Sequence, residues 1–215
     1  MKITRPNIVC SVPLILEKVY RKSILPLLEK GPMSIAMRIP LINTAIYSTI
    51  KAKLMEQFGG CVEIFIVGGA ALNSETEDFL RKIKFPITVG YGMTECAPLI
   101  SFELPTLFKE GSCGRILPPQ YLEAKITSRD PQNIPGELLV RGEHVMRGYY
   151  KNDEATKAVL EEDGWLHTGD MCTMEADGTL YIRGRCKTMI LSGSGQNIYP
   201  EEIEERLNNL YLVGE

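Results

Sequence analysis

The stretch Ile87–Leu99, ITVGYGMTECAPL, decides the fold of this chain. It joins a short run of β-branched residues, Ile87 to Val89, to a glycine-flanked tyrosine and a Thr-Glu pair. A similar arrangement lies upstream, where the apolar run Val62 to Val67 ends in Gly68-Gly69-Ala70. Between the two runs, the pattern Ser74-Glu75-Thr76-Glu77 predicts the capped start of a helix. The order strand, helix, strand predicts a βαβ unit with parallel strands.

The two glycine-rich segments predict a nucleotide site. Ligands of open parallel α/β sheets bind beyond the carboxyl ends of strands, and Gly68-Gly69 and Gly90-Tyr91-Gly92 both follow strands. Glycines let a ligand approach the backbone closely, and a tyrosine ring can stack on adenine. Glu95 is a hard oxygen ligand suited to Mg²⁺ on the phosphates, and Thr94 offers a hydroxyl to a phosphate oxygen. Each residue alone is typical of an ordinary loop, but the combination favours two loops that converge on ATP.

Two downstream segments add ribose and phosphate contacts. GWLHTGD, Gly164–Asp170, ends in a carboxylate that can accept both hydroxyls of a ribose. YIRGRCKTMI, Tyr181–Ile190, carries Arg185, a permanently charged guanidinium that can reach ribose or phosphate oxygens. Trp165 is interpreted as a packing residue and His167 as a residue of local structure.

In this order and at these distances, the four segments resemble the adenylate-forming superfamily of acyl-CoA synthetases, luciferases and peptide-synthetase adenylation domains. The stretches Ser11–Lys22 and Gly184–Leu210 look like those of bacterial long-chain fatty acid CoA ligases, and the resemblance covers nearly the whole chain. It implies that a fatty acid, ATP and CoA are the substrates. It further implies that Mg²⁺ and AMP bind, and that acyl-CoA forms through an acyl-adenylate.

The resemblance also implies roles for single residues. Thr94 and Glu95 are the expected catalytic residues, with Glu95 as the metal ligand. Lys187 is expected at the hinge before a small C-terminal domain, although Thr188 stands where many relatives have Asp, which leaves the hinge's partners open. Gly195 is expected on the loop beside the CoA tunnel. The remaining expected nucleotide contacts are Gly68, Gly69, Ala70, Gly90, Tyr91, Gly92, Met93, Asp170 and Arg185.

The fold class implied is α/β, as part of an acyl-CoA synthetase-like large domain. We expect a βαβ layer over residues 1–111, a small antiparallel β subdomain over 112–186, and the hinge with the first strand and helix of the C-terminal domain over 187–215. The chain's own pattern predicts two early helices, Val12–Glu29 with a kink at Pro26 and Ile42–Phe58 ended by two glycines. The predicted β segments are Tyr121–Thr127, Glu137–Arg141, Met171–Glu175, Thr179–Arg183 and Thr188–Leu191.

Two further features are predicted near the carboxyl end. Asp177-Gly178 predicts a hairpin turn between two of the β segments. A helix is predicted from Pro200, with Ile203, Leu207 and Leu210 on its buried face.

Composition excludes several classes of protein. A net charge of -3 over 215 residues disfavours nucleic acid as a partner. Six scattered cysteines without CxxC spacing and two histidines argue against a zinc cage and for reduced thiols. No apolar run near 18 residues and no targeting motif is present, so we expect a cytoplasmic protein, with peripheral membrane contact through its lipid substrate. Exposed apolar surface predicts that the chain can form oligomers.

Two elements of the superfamily do not occur in these 215 residues, and we expect them to lie outside this sequence: the Ser/Thr/Gly-rich phosphate loop ending in Pro-Lys-Gly and the late catalytic lysine. We therefore expect this chain alone not to catalyse the full reaction, because adenylation depends on positioned cations. Other adenylate-forming enzymes stay open as alternatives, with medium-chain, aryl or carrier-protein substrates. A non-catalytic nucleotide-binding module is the other alternative. It predicts damage at Thr94-Glu95, Asp170 or Arg185, and all four residues are intact.

Overall fold

The computed structural model of the chain describes residues 3–29, 31–191 and 197–208. The chain divides into two compact units. Unit 1 comprises residues 1–89 and 104–111, and unit 2 comprises residues 90–103 and 112–215. The predicted boundaries after residues 111 and 186 stay predictions about the domains of the protein.

Unit 1 is built on a parallel sheet of three strands. These are β1 (Ile8–Ser11), β2 (Ile64–Val67) and β3 (Ile87–Val89), in the order β1-β2-β3. Helix α5 (Ser74–Lys82) connects β2 to β3, which confirms the predicted βαβ unit. Strand β1 was missed, because only Val9 of its four residues is buried and so short a run has no readable alternation.

The cap of α5 corrects one prediction. The Asn73 side chain, not that of Ser74, accepts the hydrogen bond from the Thr76 amide, at 3.1 Å. Asn and Ser are both good capping residues, so the sequence does not distinguish two neighbours. The helix therefore begins at Ser74 itself, as its first helical residue.

The early helices follow the prediction in outline, with three differences. The first consists of α1 (Pro13–Val19), a π-helical turn Tyr20–Ile24 and α2 (Leu25–Glu29). The wide turn ends two residues before Pro26, which has no amide hydrogen to continue the ladder. Helix α3 (Gly31–Ala36) was not predicted. Helix α4 (Pro40–Gln57) starts two residues early and ends before Gly59 and Gly60, which have φ of 101° and 78°.

Aromatic side chains fill the core of unit 1. The Phe65 side chain on β2 is fully buried, and its ring centroid lies 4.8 Å from that of Phe58 and 5.6 Å from that of Phe85. Phe58 directly follows α4, and Phe85 precedes β3. The sheet is thus anchored to the helical layer by packed rings, whose burial is the main stabilising contribution of such residues.

Unit 2 is antiparallel, as predicted. One sheet has the order β4-β5-β6, and a second has the order β10-β9-β8-β7. The strands are β4 (Tyr91–Gly92), β5 (Leu99–Phe102), β6 (Arg115–Ile116), β7 (Glu123–Ile126), β8 (Gly136–Arg141), β9 (Leu166–Met174) and β10 (Leu180–Arg185). Helix α6 (Asp153–Lys157) lies between β8 and β9 in the chain. Gly178, with φ of 84°, forms the predicted turn between β9 and β10.

The start of β9 differs from the prediction. It begins at Leu166 rather than at Met171, so HTGD is part of the strand. Gly169 and Asp170 hid the strand character of this segment, because β-propensity scales disfavour both residue types. Strands β8 and β10 flank it on both sides, which fixes its side chains more firmly than a loop would.

The end of the described chain has short elements. Strands β11 (Ile190–Leu191) and β12 (Asn197–Ile198) pair, and α7 (Pro200–Asn208) starts where predicted. The predicted burial of Ile203 and Leu207 is wrong, because they are 50% and 47% exposed. Tyr199, directly before the helix, is buried beside Gly184 of β10. Leu210 lies outside the described residues.

Among the described helices, none is long and apolar enough to cross a bilayer.

Candidate nucleotide-binding site

The GYGMTE segment is a tight reversal whose shape depends on Gly92. A Cβ at this position would lie 1.9 Å from the Pro98 carbonyl oxygen, which is an impossible contact. The next amide, that of Met93, donates to the same oxygen at 2.8 Å. Gly92 is therefore required because the backbone at Pro98 packs directly against it, whether or not a ligand also approaches.

The reversal places Tyr91 against the HTGD strand. The Tyr91 hydroxyl donates to Asp170 Oδ2 at 2.6 Å, and the Arg185 guanidinium contacts Asp170 Oδ1 at 2.9 Å. Asp170 is only 8% exposed, whereas the Arg185 side chain is 58% exposed. Three residues of three separate motifs, Tyr91, Asp170 and Arg185, thus form one contact group, which we call the ribose triad after the ligand predicted for Asp170.

A β-bulge aligns the triad. Ile182 pairs with Cys172, but Gly184 pairs with Met171 and Arg185 with Asp170, so Arg183 is an extra residue on β10. Without that bulge Gly184 would face Asp170, and Arg185 would be one position further along. A Cβ at Gly184 would lie 2.8 Å from a Glu201 carboxylate oxygen, which the flexible glutamate side chain can move to relieve.

The electrostatics of the triad keep Tyr91 as a donor. Burial raises the pKa of the Tyr91 hydroxyl far above its ordinary value, and the neighbouring Asp170 charge raises it further. The phenol is therefore protonated at every pH the protein meets. An ionised carboxylate has about four acceptor positions, so Asp170 keeps capacity for two hydroxyl donors beside these contacts.

Glu95 and Thr94 lie on a 3-10 turn, Thr94–Cys96, after the reversal. The Tyr149 hydroxyl donates to Glu95 Oε1 at 2.9 Å and orients this carboxylate, while Thr94 is exposed. This contact raises the pKa of Tyr149. Tyr149 was missed by the sequence prediction, because 54 residues separate it from Glu95 and no local pattern signals the contact.

Glu95 is the one carboxylate predicted to bind Mg²⁺. The described residues contain no group of three or more Asp, Glu, His or Cys side chains that could hold a metal ion. Mg²⁺, however, commonly binds through one or two carboxylates, with phosphates and waters as its other ligands. A single oriented Glu95 fits that manner of binding.

Three groups of predicted site residues lie away from the ribose triad and Glu95. Gly68, Gly69 and Ala70 belong to unit 1, where the Gly68 amide donates to the Ser11 carbonyl at 3.1 Å and Gly69 is exposed with φ of 85°. Lys187 is exposed in the turn after β10, and the hydroxyl of its neighbour Thr188 donates to Glu201 at 2.5 Å. Gly195 lies outside the described residues. The convergence of the two glycine-rich loops and the hinge stay predictions.

Comparison with known proteins defines the class. The sequence model of AMP-binding enzymes matches residues 1–150, and the chain belongs to that family. It is similar to a 4-coumarate–CoA ligase of Pinus taeda, with 32% identity over 90% of this chain and 37% of that protein. A 4-coumarate–CoA ligase of Glycine max is 35% identical over 90% of this chain and 69% of that protein.

Solved structures give the same class. The o-succinylbenzoate CoA synthetase of Bacillus subtilis, in complex with its acyl-adenylate intermediate, is 25% identical with a TM-score of 0.73. The match covers 98% of this chain and 37% of that chain. The α/β fold of the adenylate-forming large domain is thereby confirmed. This chain spans a little over a third of the length of most of these relatives, as the pine enzyme illustrates at 37%.

Proposed function

We propose that this chain carries the nucleotide-binding part of an acid–thiol ligase that couples a carboxylic acid to CoA. The single observation that carries the proposal is the ribose triad, in which a buried Asp170 is held between Tyr91 and Arg185. A carboxylate with spare acceptor positions beside an aromatic ring suits a ribose next to a stacked base. Membership of the AMP-binding family supports this chemistry.

The proposed reaction has two steps. A substrate carboxylate attacks the α-phosphate of ATP and releases pyrophosphate, and the thiol of CoA then attacks the acyl-adenylate carbonyl and releases AMP. Thr94 would donate its hydroxyl to a phosphate oxygen, and Glu95, oriented by Tyr149, would hold Mg²⁺. The metal offsets phosphate charge when bound. Positioning and charge stabilisation supply most of the catalysis in such phosphate chemistry.

We propose a long-chain fatty acid as the carboxylic acid. The support is the resemblance of Ser11–Lys22 and Gly184–Leu210 to bacterial long-chain fatty acid CoA ligases. A second candidate is an aryl acid, favoured by the names of similar proteins, which specify 4-coumarate and o-succinylbenzoate. Cytoplasmic location, peripheral membrane contact through the lipid substrate and oligomer formation belong to the same proposal. So do the hinge at Lys187 and the inactivity of residues 1–215 alone.

The proposal is tested on two samples. AMP binding to the 215-residue chain is measured by calorimetry, with Asp170→Asn as the variant and the exposed Glu162→Gln as its control. The whole protein encoded by the gene is then assayed for thioester formation with palmitate, octanoate, 4-coumarate and o-succinylbenzoate. Preference for palmitate supports the fatty acid, and preference for 4-coumarate supports the aryl acid. AMP binding without thioester formation from any acid would reject the ligase and leave a binding module.

A further inference from the structure

His167 forms a bridge between two carboxylates. Its Nδ1 lies 2.9 Å from Glu137 Oε2, and its Nε2 lies 2.8 Å from Glu161 Oε1. A neutral imidazole has only one N–H, so both contacts are hydrogen bonds only when the ring is protonated. We call these three residues, Glu137, His167 and Glu161, the Glu–His–Glu bridge.

The bridge is connected to the ribose triad through one peptide. The other oxygen of Glu137, Oε1, accepts from the Gly169 amide at 3.1 Å, and Gly169 directly precedes Asp170. The Gly169 carbonyl accepts from the Cys186 amide at 2.8 Å, one residue after Arg185. Both polar groups of Gly169 are thus held, and Glu137 holds the amide.

Thr168 completes the support behind Asp170. Its buried hydroxyl donates to the Leu138 carbonyl at 2.8 Å and accepts from the Asp170 amide at 3.1 Å. The backbone on the amino-terminal side of Asp170 is therefore fixed by β8, and Glu137 is the one ionisable side chain among the described contacts that hold it.

We propose that Glu137 and His167 are positioning residues of the nucleotide site. Glu137 holds the Gly169 peptide so that Asp170 keeps its place in the ribose triad, and protonated His167, braced by Glu161, holds Glu137. This role rests on the proposed function, because the ligand of Asp170 is taken to be a ribose. Positioning of this kind makes nucleotide affinity depend on the charge of a side chain that does not touch the nucleotide.

The direction of the pH dependence follows from the groups around the ring. Hydrogen bonding to Glu137 raises the pKa of His167 above its ordinary value, burial lowers it by less, and the weaker effect of the hydrogen bond to Glu161 adds to the rise. Cys186 also faces Glu137, and Arg141 on the same strand is paired with Glu123. As the pH rises through the raised pKa, the ring loses one N–H, so that either Glu137 loses its donor or Glu161 no longer braces the ring that holds Glu137. In both cases Glu137 is held less firmly and the Gly169 contact weakens. Affinity for AMP should fall in that range.

The test is a pH series of AMP affinity on the 215-residue chain, measured by calorimetry between pH 5.5 and 8.5. The affinity of the unmodified chain is divided by that of His167→Gln, so that titration of the AMP phosphate cancels. We expect this ratio to fall roughly 3- to 10-fold as the pH rises, the size expected for loss of a hydrogen bond to a charged group. A ratio that is flat across the series would overturn the proposal.

Four further variants separate positioning from folding. Glu137→Ala should weaken AMP binding about tenfold, whereas Glu137→Gln keeps an acceptor for the Gly169 amide and should restore affinity without the pH dependence. Glu161→Gln should reduce the pH dependence, and its neighbour Glu162→Gln should leave it unchanged. Equal affinity of Glu137→Ala and Glu137→Gln would count against positioning. Emission of Trp165, the only tryptophan, checks that each variant is folded.

A ligand-free measurement distinguishes this proposal from the proposed function. If the unmodified chain binds no AMP, nucleotide binding by this chain fails. Hydrogen exchange of the Gly169 amide still tests the bridge, because Glu137→Ala and His167→Gln should accelerate it about tenfold if Glu137 holds that amide. Unchanged exchange in both variants would reject the positioning role.

Discussion

The two units use the predicted site residues in different ways. In unit 1, Gly68–Ala70 offers a ligand mainly backbone groups, and no atom lies within 4 Å of the position that a Cβ at Gly69 would take. In unit 2, the predicted residues are already engaged: Asp170 with two partners, and Glu95 with Tyr149. A substitution in unit 1 should therefore change ligand approach with little change in folding. A substitution in unit 2 should change stability and ligand binding together.

The largest expected effect is a loss of stability that differs between two glycine substitutions. Gly92→Ala should destabilise unit 2 by about 3 kcal/mol or more, because its Cβ would overlap the Pro98 carbonyl. Gly69→Ala should cost only about 1–2 kcal/mol, from its positive φ. Urea unfolding followed by circular dichroism measures both, and Trp165 emission reports unit 2. Equal losses in the two variants would contradict the difference between the units.

The second effect concerns Asp170. Asp170→Asn should weaken AMP binding about 10- to 100-fold, because a charged acceptor of ribose hydroxyls and of Arg185 is lost. Arg185→Lys, which keeps the charge but loses the guanidinium fork, should have a smaller effect. Calorimetry measures both. A Gly69→Ala variant that weakens binding more than Asp170→Asn would show that unit 1 dominates recognition.

The third effect is a pH dependence of stability in unit 2. The pKa of His167 is raised by Glu137 and Glu161, so its contribution is fully present below the ordinary histidine value and is lost as the pH rises through the raised value. The side chain is 34% exposed, so solvent screening limits the effect to under about 1 kcal/mol. The stability of the unmodified chain relative to His167→Gln should therefore be greater at pH 6 than at pH 9. Thermal unfolding monitored by Trp165 emission measures this difference. A larger stability difference at pH 9 than at pH 6 would exclude a protonated bridge.

The smallest effect is expected at Tyr149. Tyr149→Phe removes the donor to Glu95 but leaves the ring, and Tyr149 is 37% exposed, so stability should fall by about 0.5 kcal/mol or less. Mg²⁺-dependent ATP binding should weaken more than Mg²⁺-free AMP binding. A calorimetric comparison of the two ligands measures this. Equal weakening of both would mean that Tyr149 does not act through the metal ligand.

The elements that the sequence predicted well share a strong local signal. The run Ile87–Val89 became a strand with the predicted bounds, and the helix from Pro200 begins at its proline. The errors arose where the local sequence signal was weak or where two neighbouring residues gave the same signal. Strand β1 has one buried residue, and Asn73 and Ser74 are equally good caps. The burial of Ile203 and Leu207 depended on what α7 packs against, which periodicity does not specify.

The sequence by itself indicated the class of this protein, because its glycine loops, Thr-Glu pair, Asp170 and Arg185 resemble, in type and order, those of the adenylate-forming superfamily. Only the tertiary structure decided which of these residues meet. The extra residue Arg183 brings Arg185 opposite Asp170, and the sheet brings Glu137 to the Gly169 amide. Such contacts join residues 15 to 79 positions apart, as Arg185–Asp170 and Tyr91–Asp170 show. Strand register and side-chain packing set these distances, and neither is encoded in a local pattern.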